Sequence, residues 1–372
     1  ALMSSLLIGA FLVVGCKKIT PNAPESKRAT TMTELYGLQE VPTFDLVIDD
    51  EAMESLRQEP KSWVKGEFRY GEERLPEVAI RLKGHRSFRS IDDKPAIKLR
   101  FDKGEAHKGR RFLEVRRLTL NNLVEDATMI REYLAYRLAR KVGLPVPKAG
   151  YAKLRVNGAS YGLYLVVETP DEDFLERQFG SADGELYEGE YGCDLSADDV
   201  EGFDLDQGDE ERNELRRLTR ALDASSQPPW KQVPPLIDLE HLSTFLAFST
   251  YVGDFDGYYH SHNYRVYWSP ERKSWYFMSW GLDRSLYKSV PPYGSKGLMA
   301  RACFGDRECR VAYLQALRRV HAAARELDLA TGAQVIAKLL ATAVNEDTRR
   351  PYKAKTINKR RDAIQAFLAE RE

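Results

Sequence analysis

YAKLRVNGASYGLYLVVETPDEDFLERQFG, residues 151–180, decides how this chain is organised. Its apolar runs flank Asn157-Gly158, a dipeptide that strongly favours a two-residue hairpin turn. Pro170 ends the β pattern. DEDFLERQFG then carries an acidic start, apolar residues at helical spacing and a closing glycine.

Upstream, TFDLVIDD, VKGEFRYG, EVAIRLKG, PAIKLRFD and RRLTLNN alternate or run apolar between Gly, Asp and Pro breakers, which predicts a strand meander. DATMIREYLAYRLARKVGLPVP (126–147) predicts one helix, inserted before the last hairpin. Downstream, DEERNELRRLTRALDA (209–224) and DLEHLSTFLAFSTYVGDFDG (238–257) read as helices. NYRVYWSPERKSWYFMSW (263–280) reads as a second hairpin, and further helices are expected at 308–328, 331–344 and 353–370. The fold class is α+β: a β-rich half over 41–169 with one inserted helix, and a mainly helical half over 170–372 carrying a β-hairpin. A cleft between such halves is a place for a ligand.

The chain has 372 residues, 43% of them hydrophobic, enough for a sizeable core. Lys+Arg and Asp+Glu both total 56, which excludes a globally basic nucleic-acid binder. SSLLIGAFLVVGC, ending at Cys16 before Lys17 and Lys18, suits a signal-peptide core. Residues 12–16, LVVGC, resemble the lipobox of bacterial lipoproteins. The resemblance implies a signal peptide over 1–15, lipidation and membrane attachment at Cys16, and a tether over 16–40. The implied location is the cell envelope, on the periplasmic or surface side. The lack of Asp after Cys16 points to the outer membrane where one exists. In an oxidising compartment Cys303 and Cys309 of CFGDREC are expected to pair, leaving Cys193 over.

DGYYHSHNYRVYW (256–268) followed by WGLDRS (280–285) resembles the signature of the spore-coat-protein-H (CotH) kinase family. RLKGHRSF, KPAIKLRF, DATMIREYL and VNGASYGLYLVVETPDEDFL agree in order, from about Thr43 to Leu286. The resemblance implies a bilobal, protein-kinase-like fold that moves phosphate from ATP, with Mg2+, to a protein Ser or Thr hydroxyl. Such transfer needs a cation on the phosphates, oxygen ligands for Mg2+, and a carboxylate aimed at the acceptor. By resemblance, Lys94 contacts ATP, with Lys98 on the same strand also fitting, and Glu132 holds the lysine. Arg81, Gly84, Arg86 and Ser87 lie over the phosphates. Asp256 is the base, Asn263 and Asp283 hold the metal, and Glu168 with Thr169 form the hinge that meets adenine.

Two rival readings follow from the same residues. Relatives read Trp-Asp-x-Asp where this chain has Trp280-Gly281-Leu282-Asp283, so a binding or structural protein without turnover is the first. The second is a metallohydrolase in which His260 and His262, with Asp254 or Asp256, ligate a transition metal.

Overall fold

Asn157 and Gly158 both take left-handed backbone, at φ 49° and 80°, so the hairpin closes on a turn whose twist matches its strands. The computed structural model describes residues 31–371 except 38–39, 190 and 224–228. The expected signal peptide, Cys16 and the tether as far as residue 30 lie outside the described residues.

Strands β1 (Thr43–Val47), β2 (Val64–Tyr70), β3 (Glu73–Lys83), β4 (Ala96–Arg100), β5 (Arg117–Asn121), β6 (Ala149–Val156) and β7 (Ala159–Glu168) close a barrel in the order β1-β2-β3-β4-β5-β7-β6. Parallel pairing of β1 with β6 closes the ring. Alternation sends Val78, Ile80, Leu82, Ile97, Leu99, Leu118 and Leu120 inward, onto Phe44, Phe68 and Phe112. The Phe68 and Phe112 rings meet edge to face with centroids 4.7 Å apart. The same alternation turns Arg81, Lys83, Lys98, Thr119 and Asn121 outward. Register sets Arg81 beside Lys98 and Lys98 beside Thr119.

The β-rich half holds two helices among the described residues, where one was expected, and a third precedes it. They are α1 (Met32–Tyr36), α2 (Asp50–Gln58) and α3 (Arg131–Lys141). Helix α2 escaped the sequence pattern because it is mostly charged and buries only Leu56. What starts it is Asp49, which accepts the Ala52 N–H at 2.8 Å. Helix α1 falls within the expected tether, with Leu35 and Tyr36 buried. Asp126, read as the start of α3, stands five residues ahead of it and accepts the N–H groups of Thr128 and Arg131, each at 2.8 Å.

The second half contains α4 (Glu172–Phe179), α5 (Asn213–Leu222), α6 (Leu239–Val252), α7 (Leu298–Gly305), α8 (Arg307–Glu326), α9 (Leu329–Leu339), α10 (Ala341–Glu346) and α11 (Ala354–Ala369). Its expected hairpin, β10 (Tyr264–Ser269) with β11 (Ser274–Ser279), belongs to a four-stranded sheet of order β11-β10-β8-β9. The added strands β8 (Glu185–Gly189) and β9 (Phe203–Gln207) are short and acidic, too weak a pattern to read alone.

Helix α3 and the outer faces of β6 and β7, through Tyr151, Leu163, Leu165 and Val167, pack into the core of the helical half. Any group on α3 is therefore fixed relative to both sheets. Cys303 and Cys309 form the expected disulfide, with Cα atoms 5.2 Å apart. Cys193 is buried, its thiol 3.3 Å from the Asp199 carbonyl. Among the described residues no helix is long and apolar enough to cross a membrane.

Candidate active site

A cavity of about 560 Å3 opens between the outer face of β3–β5 and the loops that follow α6 and β11. Its barrel wall carries Arg81, Lys83 and Lys98, with Arg86 and Ser87 on the loop beyond β3. The facing wall carries Asp256, Asn263 and Asp283, and Glu132 of α3 closes one end. Cations thus predominate on the barrel side and Asp256 and Asp283 lie opposite, with Arg284 beside Asp256 and with Glu125, Glu188 and Asp204 also in the lining.

Local structure fixes each carboxylate. Helix α6 ends in left-handed Gly253, and Asp256 follows, 24% of its side chain exposed. The Asn263 amide donates to the Asp256 carbonyl at 2.7 Å, and the Trp280 N–H donates to the Asn263 carbonyl at 3.1 Å. Gly281 is left-handed at φ 62°, and its N–H donates to the Tyr136 hydroxyl at 3.3 Å. Asp283 sits in the single helical turn Leu282–Arg284 that follows. One backbone path therefore ties both loops to α3.

Glu132 is buried, and both its carboxylate oxygens lie 3.1 Å from the Asn121 amide nitrogen, which donates to them, while Lys83 donates to the Asn121 side-chain oxygen at 3.2 Å. Burial pushes Glu132 up to about 7 against the pull of Lys83. Asp283 is raised well above the usual carboxylate range by burial, then by Glu132, Asp126, Asp256 and Glu125. Burial lowers the Lys83 ammonium, opposed by Glu132, Glu188 and Asp283. Burial beside Lys83 and Arg265 brings Lys98 down to about 8. Asp254, close behind Asp256, is pushed up to about 8 by burial and by that neighbour. Mutual repulsion and burial shift the carboxylates up and the ammonium groups down, the pattern of perturbed titratable groups that clusters at functional sites.

The structure brings Arg81, Gly84, Arg86, Ser87, Lys98, Glu132, Asp256, Asn263 and Asp283 to this one cavity. Two expected members are elsewhere. Lys94 is 1% exposed and donates to Asp347 at 2.5 Å, in a buried ion pair beside Leu163, whose N–H also reaches Asp347 at 3.0 Å. It precedes β4 and faces the segment after α10, outside the residues that line this cavity. Glu168 lines a separate cavity of about 490 Å3 with Thr169 and Asp171. It pairs with Arg177 at 2.7 Å and accepts the Lys148 N–H at 3.1 Å. The hinge role expected of it finds no support in this placement.

The histidines do not assemble a metal site. His260 Nδ1 lies 2.5 Å from the Phe255 carbonyl, and the His262 ring stacks on Tyr191 at 4.0 Å. Among the described residues no group of three or more His, Cys, Asp or Glu is arranged to hold a metal ion. Sequence reasoning missed Lys83 and Asn121, although both end strands whose alternation points them outward. It also missed Trp280, which lies under the Lys83 ammonium at 5.5 Å and the Arg265 guanidinium at 4.8 Å. Arg265 pairs with Glu188 and Asp206, bracing the sheet below.

Cationic and carboxylate side chains thus meet across a cavity of ligand size. The family model described as CotH kinase protein matches residues 80–372, and the chain belongs to that family. It is also similar to the inner spore coat protein H of Bacillus subtilis (strain 168), at 24% identity over 200 residues. That alignment covers 50% of this chain and 54% of the relative, so the chain spans about half the relative's length.

Proposed function

We propose that this chain is a lipid-anchored, extracytoplasmic protein kinase that uses ATP and Mg2+ to phosphorylate a Ser or Thr hydroxyl. The observation that carries this reading is the segregation of charge across the cavity: Arg81, Lys83, Arg86 and Lys98 face Asp256, Asn263 and Asp283. The residues fit the ion, because Mg2+ takes one or two carboxylates and leaves its remaining positions to water and phosphate oxygens. Asp283 and Asn263 would hold it, and when bound it would neutralise charge on the phosphates. Lys83 replaces Lys94 as the lysine coupled to Glu132, through Asn121. Asp256 would accept the acceptor's proton, with the Arg284 guanidinium 3.7 Å away. Titration with ATP in the presence and absence of Mg2+, followed by phosphate incorporation into a protein mixture, tests the reading. Absence of ATP binding under both conditions would end it.

A second reading, a kinase-family binding protein without turnover, is favoured by Gly281. A Cβ built there meets nothing nearer than the Asn263 side chain at 3.5 Å, and Asp tolerates left-handed backbone better than most residues. A second carboxylate would fit beside Asn263, and this chain lacks it. Binding of ATP and Mg2+ without any transfer would select this reading.

Lys98 supplies a pH test. The ammonium form attracts phosphate, and in the free protein it is lost as pH rises through about 8. ATP affinity is therefore expected to fall between pH 7.5 and 9.5, by up to about tenfold per unit where proton uptake accompanies binding. In Lys98→Arg the guanidinium stays charged throughout, so the calorimetric profile should flatten. An unchanged slope in Lys98→Arg would remove Lys98 from the phosphate site.

The lipobox-like LVVGC and the Cys303–Cys309 disulfide support the location. Cys16→Ser is expected to leave unprocessed precursor and abolish labelling by a fatty-acid analogue. Labelling that persists in Cys16→Ser would defeat the anchor.

A further inference from the structure

Next to the cleft lies a second, smaller cavity of about 230 Å3, lined by Arg131, Arg284, Arg360, Glu125, Tyr287 and Tyr352 among others. Three arginines from three separate parts of the chain meet here: the first residue of α3, the loop after β11, and α11. Arg131 is 4% exposed, yet its Nε and Nη2 have no hydrogen-bond partner. Its nearest carboxylate, Asp126, stands 3.8 Å away and already accepts from the Thr128 N–H and hydroxyl and the Arg131 N–H. The guanidinium lies over the Tyr287 ring at 5.0 Å, and that of Arg360 over the same ring at 5.7 Å. Buried guanidinium N–H groups left unpaired are costly, and an anion satisfies them. Against three arginines the cavity sets one acid, Glu125.

The geometry points to a phosphate-ester site on the acceptor side of the cleft, which reads a phosphoseryl group already present on the chain being modified. This rests on the kinase reading for which residue meets the acceptor. Several guanidinium forks suit a dianionic tetrahedral phosphate better than a flat carboxylate. The volume is too small for a nucleotide but suits one phosphorylated side chain. Arg284 supplies the connection: it lines both cavities and stands 3.7 Å from Asp256. A hydroxyl at Asp256 and a phosphate on the far side of Arg284 would lie within a few residues of extended peptide, at roughly 3.3 Å per residue. The product of one transfer then becomes the recognition group for the next.

The test is calorimetry on the full chain without nucleotide, using a serine-rich peptide and the same peptide bearing one phosphoserine two residues from a free serine. Wild type is expected to bind the phosphopeptide at least about tenfold more tightly, the scale of one charge-assisted hydrogen bond. Arg360→Met, an exposed position whose change leaves the core intact, should erase most of that preference, and Arg131→Met the rest. ATP titration on the same variants should be unchanged. Equal affinity for the two peptides would overturn the inference. So would inorganic phosphate binding at these arginines with no gain from the phosphoserine, because the site would then serve a free anion. Preference for the phosphopeptide in a protein that never binds ATP would defeat the kinase reading and leave the phosphate-ester site standing.

Discussion

Asp283→Asn is expected to remove Mg2+-dependent ATP binding, whereas Asp256→Asn should bind ATP nearly normally and lose transfer by about 10²–10⁴-fold. The two carboxylates differ in surroundings as well as in position. Asp283 is held by the Leu282–Arg284 turn among Glu132, Asp126 and Asp256, all of which raise its pKa. Its ionised form is costly in these surroundings, so under the proposed reading a bound Mg2+ would stabilise it. Removing the charge removes the reason for the ion to bind. Asp256 is partly exposed, flanked by Arg284 at 3.7 Å and His262 at 3.9 Å, with the Asn263 amide 3.4 Å from its carboxylate. A group that acts on the acceptor's proton contributes during transfer, so its loss should appear in turnover rather than nucleotide affinity. Calorimetric titration beside phosphate incorporation separates the two effects. Both variants keep side-chain volume, and matched melting curves would exclude unfolding. If both variants lost ATP binding equally, the division of labour would be wrong. If neither changed anything, the cavity would not be the reaction site.

The strands that build the barrel were legible because alternation between an apolar interior and a polar exterior is a period-two signal that packing enforces at every residue. The turn at Asn157-Gly158 was legible for a different reason, a backbone conformation few residue pairs accept. The site was legible where a motif and an element boundary coincide: Asp256 after α6, Asp283 after β11, Glu132 on the first turn of α3. It was illegible where identity depended on which end of a strand faces the cleft. Lys83 ends β3, Lys94 precedes β4 and Lys98 sits at its centre. Only the pairing of Lys83 with Ala96 and of Arg81 with Lys98 decides that Lys83 and Lys98 share a face. Lys94 lies beyond that register, beside a carboxylate 253 residues later in the chain. No local pattern announces Asp347 as its partner. Strands β8 and β9 were missed for the opposite reason, since their pairing comes from β10 and from each other rather than from their own few apolar residues.

Lys94→Met should destabilise the protein by about 3–5 kcal/mol while leaving ATP affinity intact at temperatures where the fold survives. The reverse pattern would follow if Lys94 met the phosphates. The ion pair with Asp347 has both side chains essentially out of solvent, 1% and 0% exposed, so removing the ammonium strands a carboxylate in the interior. Asp347 retains the Leu163 N–H at 3.0 Å and the Arg349 N–H at 2.9 Å, which do not replace a full charge. The pair also closes a strap. The segment after α10 lays the Arg349 guanidinium over Tyr161 at 3.8 Å and onto the Asp92 carbonyl at 3.1 Å. It then brings the Tyr352 hydroxyl to the Val124 carbonyl at 2.8 Å. Opening one end loosens the loops at 92–94 and 122–128, next to the cleft. A fall in melting temperature of about 4–6 °C is expected for a chain of this size. Lys94→Met with Asp347→Asn should recover part of it, because no lone charge remains buried and the amide oxygen still accepts one of the two backbone N–H groups, which reach different carboxylate oxygens. Failure of that rescue would mean that the lysine stabilises through its packing against Tyr164, whose ring lies 5.4 Å from the ammonium, rather than through its charge. Weakened ATP binding in Lys94→Met at an unchanged melting temperature would return the phosphates to Lys94 and displace Lys83.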